Sequence, residues 1–180
     1  KFGVVLAKDL INKDDDKEYY LNLIKEAEYE AKKFIKKEQL SKNEVVKVWR
    51  DAFKKFKTKK GARASIEALL KRVQKGKSLS SINPLVDIYN SISLKYGLPC
   101  GGEDIDKFEG NVRLTLANGD EDFVRLGSDK NSPPYKDEVV YKDDAGAICR
   151  CFNWREAMRT ILTEKTKDAF LIIELIDDKR

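Results

Sequence analysis

Residues 82–106 carry the pattern in this chain that could do chemistry: Ile-Asn-Pro-Leu-Val-Asp-Ile-Tyr-Asn-Ser-Ile-Ser-Leu-Lys-Tyr-Gly-Leu-Pro-Cys-Gly-Gly-Glu-Asp-Ile-Asp. Its first half predicts a helix. Asn83 is a good N-cap and Pro84 suits the first helical position. Leu85, Val86, Ile88, Tyr89, Ile92 and Leu94 make that helix apolar almost all round, so it should be buried. Asp87 and Asn90, three apart, share a face. Buried polar side chains need partners, so these two brace backbone or point into a pocket. Asp87 reads as a brace and Asn90 as a functional residue. Gly97 and Pro99 end the helix. Then Gly101-Gly102 run straight into Glu103-Asp104. A glycine pair lets a ligand approach backbone N–H groups closely, or simply makes a tight turn; both readings stand.

The chain has no histidine. That excludes Ser-His and Cys-His nucleophilic pairs, a histidine base and histidine metal sites. Catalysis falls to carboxylates, Lys, Tyr, Cys, backbone dipoles, water or the substrate itself. The three cysteines, Cys100, Cys149 and Cys151, lack disulfide-scaffold spacing, which points to a reducing, cytoplasmic setting. Cys149 and Cys151 fall on one side of a strand, and two thiols without further ligands do not make a zinc site. All three read as packing residues. No metal or cofactor is expected. No run approaches the ~18 apolar residues of a membrane span, and the apolar stretch 2–7 is too short for a signal peptide.

Several elements must position these groups. Residues 2–7 read as a short buried strand, followed by an exposed acidic run at 13–17. Residues 18–38 have helical spacing. Ser41-Lys42-Asn43-Glu44 matches a capping box opening a second helix. Residues 63–74 form a third helix, with Gly76 as its stop. Beyond Pro99 the texture changes to strands: 111–116 and 121–126 joined by an Asn118-Gly119 hairpin turn, then 138–141, 147–151 and 169–175, with a helical turn at 154–161. Trp49 and Trp154 read as core or stacking residues. Helices first and strands second is the α+β class.

Charge is uneven. Residues 42–77 hold 13 Lys/Arg against 3 Asp/Glu, whereas residues 101–180 hold 13 against 18. A basic half beside an acidic one suggests a polyanion partner, and equally a solvated lysine-rich surface. Lys54, Lys57, Arg63, Lys71, Arg72, Lys75 and Lys77 are the candidate nucleic-acid contacts.

The run from Asn83 to Gly110, Asn-Pro-Leu-Val-Asp-x-x-Asn…Gly-Leu-Pro-x-Gly-Gly-Glu-Asp-x-Asp-x-x-Glu-Gly, resembles the B3/B4 domain. So do Gly119-Asp120-Glu121, Glu138-Val139-Val140-Tyr141, the stretch Cys149-Arg150-Cys151-Phe152-Asn153-Trp154-Arg155-Glu156, and Thr163-Glu164-Lys165-Thr166. That domain edits mischarged tRNA in the β subunit of bacterial phenylalanyl-tRNA synthetase and also occurs freestanding, the kind this chain resembles. The resemblance spans about residues 63–175. It implies a small β barrel or strongly curved mixed sheet with helices around it. It also implies one domain over 1–180, with 1–62 as a variable part and 63–175 as the motif-bearing core.

The resemblance further implies hydrolysis of an aminoacyl-tRNA ester. Asn90 matches the Asn of the Val-Asp-x-x-Asn motif, and Glu156 matches a pocket glutamate. Where the synthetase has a pocket histidine, this chain has Gly101, so substrate identity does not carry over. An aminoacyl ester is already activated and needs only positioned water and oxyanion donors. On this reading Glu156, Glu103 and Asn90 are the catalytic candidates. Asn83, Gly101, Gly102, Asp104, Arg150 and Asn153 bind substrate: Glu103 or Asp104 takes the α-ammonium, the asparagines hold carbonyl or hydroxyl groups, and Arg150 pairs with a carboxylate or meets the terminal phosphate. The expectation is a monomeric, cytoplasmic trans-editing hydrolase with tRNA as partner and an amino acid moiety as ligand. The alternatives are a non-catalytic RNA or amino-acid binder and, more weakly, a protein-contact adaptor.

Overall fold

A computed structural model describes residues 1–13 and 15–177; Asp14, within the acidic run, and residues 178–180 lie outside the described residues. The chain is α+β. Among the described residues four α-helices run in order, α1 (Lys17–Ala31), α2 (Glu44–Phe53), α3 (Ser65–Gln74) and α4 (Pro84–Tyr96). Strand β1 (Phe2–Ala7) precedes them. The strands β2 (Cys100–Asp104), β3 (Arg113–Leu116), β4 (Val139–Lys142), β5 (Ala147–Arg150), β6 (Arg155–Glu156) and β7 (Ala169–Glu174) follow.

The expectation is a small β barrel or a strongly curved mixed sheet; the described strands form two antiparallel sheets and no closed barrel. One has the order β1-β7-β2 and the other β3-β4-β5-β6. The last strand of the chain thus lies between the first and the second, with Gly101 opposite Ile172 and Glu103 opposite Phe170. Side chains alternate along a strand, so Gly101 and Glu103 share the face that carries Phe170, Ile172 and Glu174. The helices pack into a core around Ala31, Val46, Trp49, Ile66, Leu70, Leu94 and Cys151. Trp49 is a core residue, tilted against Phe152 and edge-on to Phe53.

Helix α4 begins and ends as its sequence predicts. Asn83 Oδ1 accepts from Val86 N at 3.1 Å, Pro84 follows, and Gly97 takes the left-handed conformation at φ 65°. Asp87 is the expected brace, accepting from Ser81 Oγ and Ile82 N. The helix is buried on one side only, for Ile88, Ile92 and Tyr96 are exposed.

Other expectations are corrected. β1 is a strand but an exposed one, because it is a sheet edge. Asn43, not Ser41, precedes α2; Ser41 lies in a 3₁₀ turn at Leu40–Lys42. Asn118-Gly119 makes no hairpin. Their N–H groups go to the Glu121 carboxylate, and β3 pairs with β4 instead. Residues 121–126 form only isolated bridges, and 154–161 contains strand β6 in place of a helical turn. The Gly101-Gly102 turn is part of strand β2. A Cβ on Gly102 would come within 2.6 Å of Leu171 and 2.8 Å of Leu162, so close packing is what requires that glycine.

Candidate functional site

The two sheets enclose a partly open, mainly apolar cavity. The glycine–carboxylate strand β2 forms one wall with Gly101, Gly102 and Glu103. Strand β7 adds Phe170, Ile172 and Glu174, while the second sheet brings Tyr141, Ile148, Cys149 and Glu156. Asn153 and Ser65, the first residue of α3, close the rim. The room for water centres is about 50 Å³, several times the ~10–15 Å³ that one water needs. A Cβ on Gly101 would stand 3.8 Å from Glu156 Oε1 and 4.0 Å from Ile172, in open contact range. Gly101 therefore contributes space to this cavity, not the free N–H groups of a turn.

Three glutamates line the cavity, and no Lys or Arg among the described residues does. Burial pushes Glu156 up to about 7. Burial, and then the charge of Glu156, push Glu103 well above the usual carboxylate range, with weaker opposition from Thr160 and Arg159. Glu174 is also pushed up to about 7 by burial, against hydrogen bonds from Tyr141 and Asn153. Tyr141 Oη donates to Glu174 Oε1 at 2.5 Å, and Asn153 Nδ2 donates to Oε2. Cys149 sits among the three, and burial holds its thiol well above its ordinary value. Cys100 is raised by burial to about 12, so neither thiol is a nucleophile at neutrality.

Buried polar atoms are normally satisfied. Five buried side-chain atoms among the described residues have no partner, and three of them line this cavity: Ser65 Oγ, Glu103 Oε2 and Asn153 Oδ1. Thr160 Oγ1, beside Glu103 but outside hydrogen-bond geometry, is a fourth.

The sequence-predicted residues divide clearly. Glu103, Glu156, Gly101, Gly102 and Asn153 meet in the cavity. Asn90 is half-buried on α4 and does not line it; nor does its neighbour Tyr89, which packs near Gly102 and feels the charges of Glu156 and Glu103. Asn83 is consumed by structure: besides capping α4 it accepts from Asn12 Nδ2 and donates to Leu162 O. Asp104 accepts from Asp106 N and Thr166 Oγ1. Arg150 is 2% exposed and forks onto Glu138 at 2.9 and 2.8 Å, so it meets neither a cavity carboxylate nor a phosphate.

A second feature adjoins the first. Arg63, Lys71, Arg72, Lys75 and Lys77 line a groove with Trp154, Arg155 and Ser65. Arg155 lies over the Trp154 ring at 5.3 Å. Ser65 belongs to both groove and cavity. The other two predicted cations lie elsewhere, Lys54 paired with Asp51 at 2.8 Å and Lys57 over the Tyr135 ring. Among the described residues, no group of three or more Cys, Asp or Glu side chains is arranged to hold a metal ion.

Ser65, Tyr141 and Glu174 were not among the sequence candidates. Glu174 did leave a signal: it is a lone carboxylate in the apolar run 169–175. Ser65 left none, since a serine opening a helix is ordinary.

The family model described as "B3/4 domain" matches residues 48–180, well over half of the chain. The chain belongs to the B3/4 domain family. Its B3/4 region is similar to phenylalanine–tRNA ligase beta subunits. The Shewanella oneidensis protein is 34% identical over 67 residues, 37% of this chain and 8% of that one. The Fusobacterium nucleatum protein is 38% identical over 74 residues, 39% of this chain and 9% of that one. This B3/4 chain thus spans less than a tenth of those relatives. A crystal structure of an N-terminal fragment of the phenylalanyl-tRNA synthetase beta subunit from Pyrococcus horikoshii aligns over 49% of this chain and 33% of its own, at 16% identity and a TM-score of 0.42. No helix among the described residues is long and apolar enough to cross a membrane.

Proposed function

We propose that this B3/4 protein is a monomeric, cytoplasmic hydrolase that acts in trans on a mischarged tRNA and cleaves its aminoacyl ester. The observation that carries this reading is the junction at Ser65, with a basic groove on one side and a carboxyl-lined cavity with unpaired polar atoms on the other. The end of a charged tRNA has the same two characters, an anionic phosphodiester chain and a cationic aminoacyl group. Lysines and arginines of the groove follow the phosphates. Trp154 offers a face for a terminal base. The aminoacyl group passes Ser65 into the cavity. The curated relatives are named for a tRNA and an amino acid, which agrees with this reading.

The chemistry follows from the unequal carboxyls. Glu156, held near neutrality, is ionised often enough to take a proton from water as the oxygen attacks the ester carbonyl. Glu103 stays protonated and, with the Ser65 hydroxyl, donates to the developing oxyanion. Collapse breaks the bond to the ribose oxygen, which takes the proton back from Glu156. Pairs of carboxyls whose environments push their acidities apart divide acid and base roles in this way.

Deacylation of a panel of misacylated tRNAs tests the proposal. At least one should turn over above buffer hydrolysis, and Glu156→Gln should slow it by about 100-fold or more. If no member of the panel turns over, the hydrolase reading falls; tRNA binding with steep salt dependence would then indicate a binding module.

A further inference from the structure

We infer that a second concavity, lined by Lys33, Lys36, Lys37, Lys42 and Lys47, holds the phosphate backbone of the tRNA body, well away from the esterified end. The inference rests on the proposed tRNA reading and adds a second grip to it. Every residue that lines this concavity precedes residue 48, where the family match begins. The grip therefore belongs to the part of the chain outside that match.

Residues 32–42 carry five lysines and one glutamate. They form two single 3₁₀ turns, Lys32–Phe34 and Leu40–Lys42, with a short connection between them. One buried side chain clamps that connection. Asn43 Oδ1 accepts from Lys36 N and Lys37 N, both at 2.8 Å, while its Nδ2 donates to Lys37 O and Leu40 O, both at 3.1 Å. The lysine backbone is thus fixed, and the side chains stand in solvent. Lys33 pairs with Glu30 and Lys47 with Asp51. Lys36, Lys37 and Lys42 have no ion pair among the described residues. Glu44 is the single carboxylate in the lining. Lysines on a plain solvated helix splay apart; here five converge on one hollow, and a concave surface of one sign focuses its field on a counter-charge.

The position of this hollow identifies the counter-charge. Gln74, at the end of α3, donates to Glu38 O at 2.7 Å and joins the lysine-bearing segment to that helix. Lys71, which lines the groove beside Ser65, is three residues from Gln74 and its neighbour on the helix surface. The two basic surfaces thus meet along α3. From Ser65 at the cavity mouth to Gln74 the helix rises about 14 Å. With phosphates spaced ~3.4 Å along a helical strand, the second grip lies about four or more nucleotides from the reacting end. Lysines there contact phosphate and read no base.

Fluorescence anisotropy titration of the whole chain with deacylated tRNA, and with a short single-stranded oligonucleotide ending in CCA, tests the inference. Replacing Lys36, Lys37 and Lys42 together by Ala, with folding checked by thermal melting, should weaken tRNA binding about tenfold or more and lower the slope of log K against log salt by about 2–3. Affinity for the oligonucleotide should stay within about twofold. The Lys71, Arg72 and Lys75 triple variant should weaken both probes. An unchanged tRNA slope in the first variant, or an equal loss for oligonucleotide and tRNA, overturns the inference. Loss of poly-L-glutamate binding with tRNA binding intact would assign these lysines to an acidic protein and overturn it too. A lysine-dependent slope without deacylation leaves the second grip standing and removes the hydrolase; deacylation with an unchanged slope does the reverse.

Discussion

Glu156 and Glu174 are acids that folding makes weaker. Each has a folded-state value of about 7, above the ordinary 4.5, chiefly through burial. The stabilisation linked to their protons is therefore complete below about pH 4.5 and is lost as pH rises through 7. For Glu174 the full effect is on the order of 3 kcal/mol. Other acids act oppositely. Burial pushes Glu121 up, but Lys142 and the N–H groups of Asn118 and Gly119 outweigh it and hold it at about 2; Arg159 and backbone N–H groups likewise lower the buried Asp143. Their contribution is present above the ordinary carboxylate range and lost as pH falls below it. Thermal melting should peak in mildly acid solution and decline between pH 5 and 8. Glu174→Gln should flatten that decline, and an unchanged slope would contradict the assigned cause. Glu103 was legible as a candidate because glycines precede it. Glu174 showed only as a lone carboxylate in an apolar run, and strand order is what brings it to the same space.

At the scale of elements, Asn83 is a test case for the difference between a cap and a ligand contact. Its side chain serves the α4 N-terminus, Asn12 and the backbone of Leu162. Asn83→Ala should cost about 2 kcal/mol or more in denaturant unfolding. Deacylation per folded molecule should stay within about twofold, since 0.4 kcal/mol of barrier is less than a site contact supplies. Arg150→Met leaves Glu138 buried and uncompensated, with Ser132 O also losing its donor. Its cost should reach about 3–5 kcal/mol in the same measurement. Local sequence was reliable where local physics decides, as in the Asn83-Pro84 start and Gly97 stop of α4. It failed at Asn118-Gly119, where the Glu121 carboxylate takes the N–H groups a hairpin would have used.

For the whole molecule, the arrangement of charge matters more than its sum. Groove cations and cavity carboxyls meet at Ser65, although the formal net charge is only +5. Replacing Lys71, Arg72 and Lys75 together by Ala should weaken tRNA binding and reduce the slope of log K against log salt by about 2–3. Lys54→Ala should leave the slope unchanged, because Lys54 lies outside the groove and pairs with Asp51. An equal effect of both variants would mean that tRNA follows the lysine-rich surface generally.

Sequence alone determined the α+β class, the limits of α4, the basic bias of residues 42–77 and the absence of histidine chemistry. These depend on neighbouring residues and composition, which a linear chain displays. Tertiary structure decided which polar groups share a space. Asn83, Asp104 and Arg150 looked like site residues until their partners from distant strands and loops appeared. Ser65 and Glu174, more than 100 residues apart, became neighbours of one cavity because β7 inserts between β1 and β2 and α3 closes the rim. The glycine–carboxylate stretch kept its importance with a different physical meaning. Gly102 permits close packing, Gly101 leaves a void, and Glu103 faces that void with its Oε2 unpartnered.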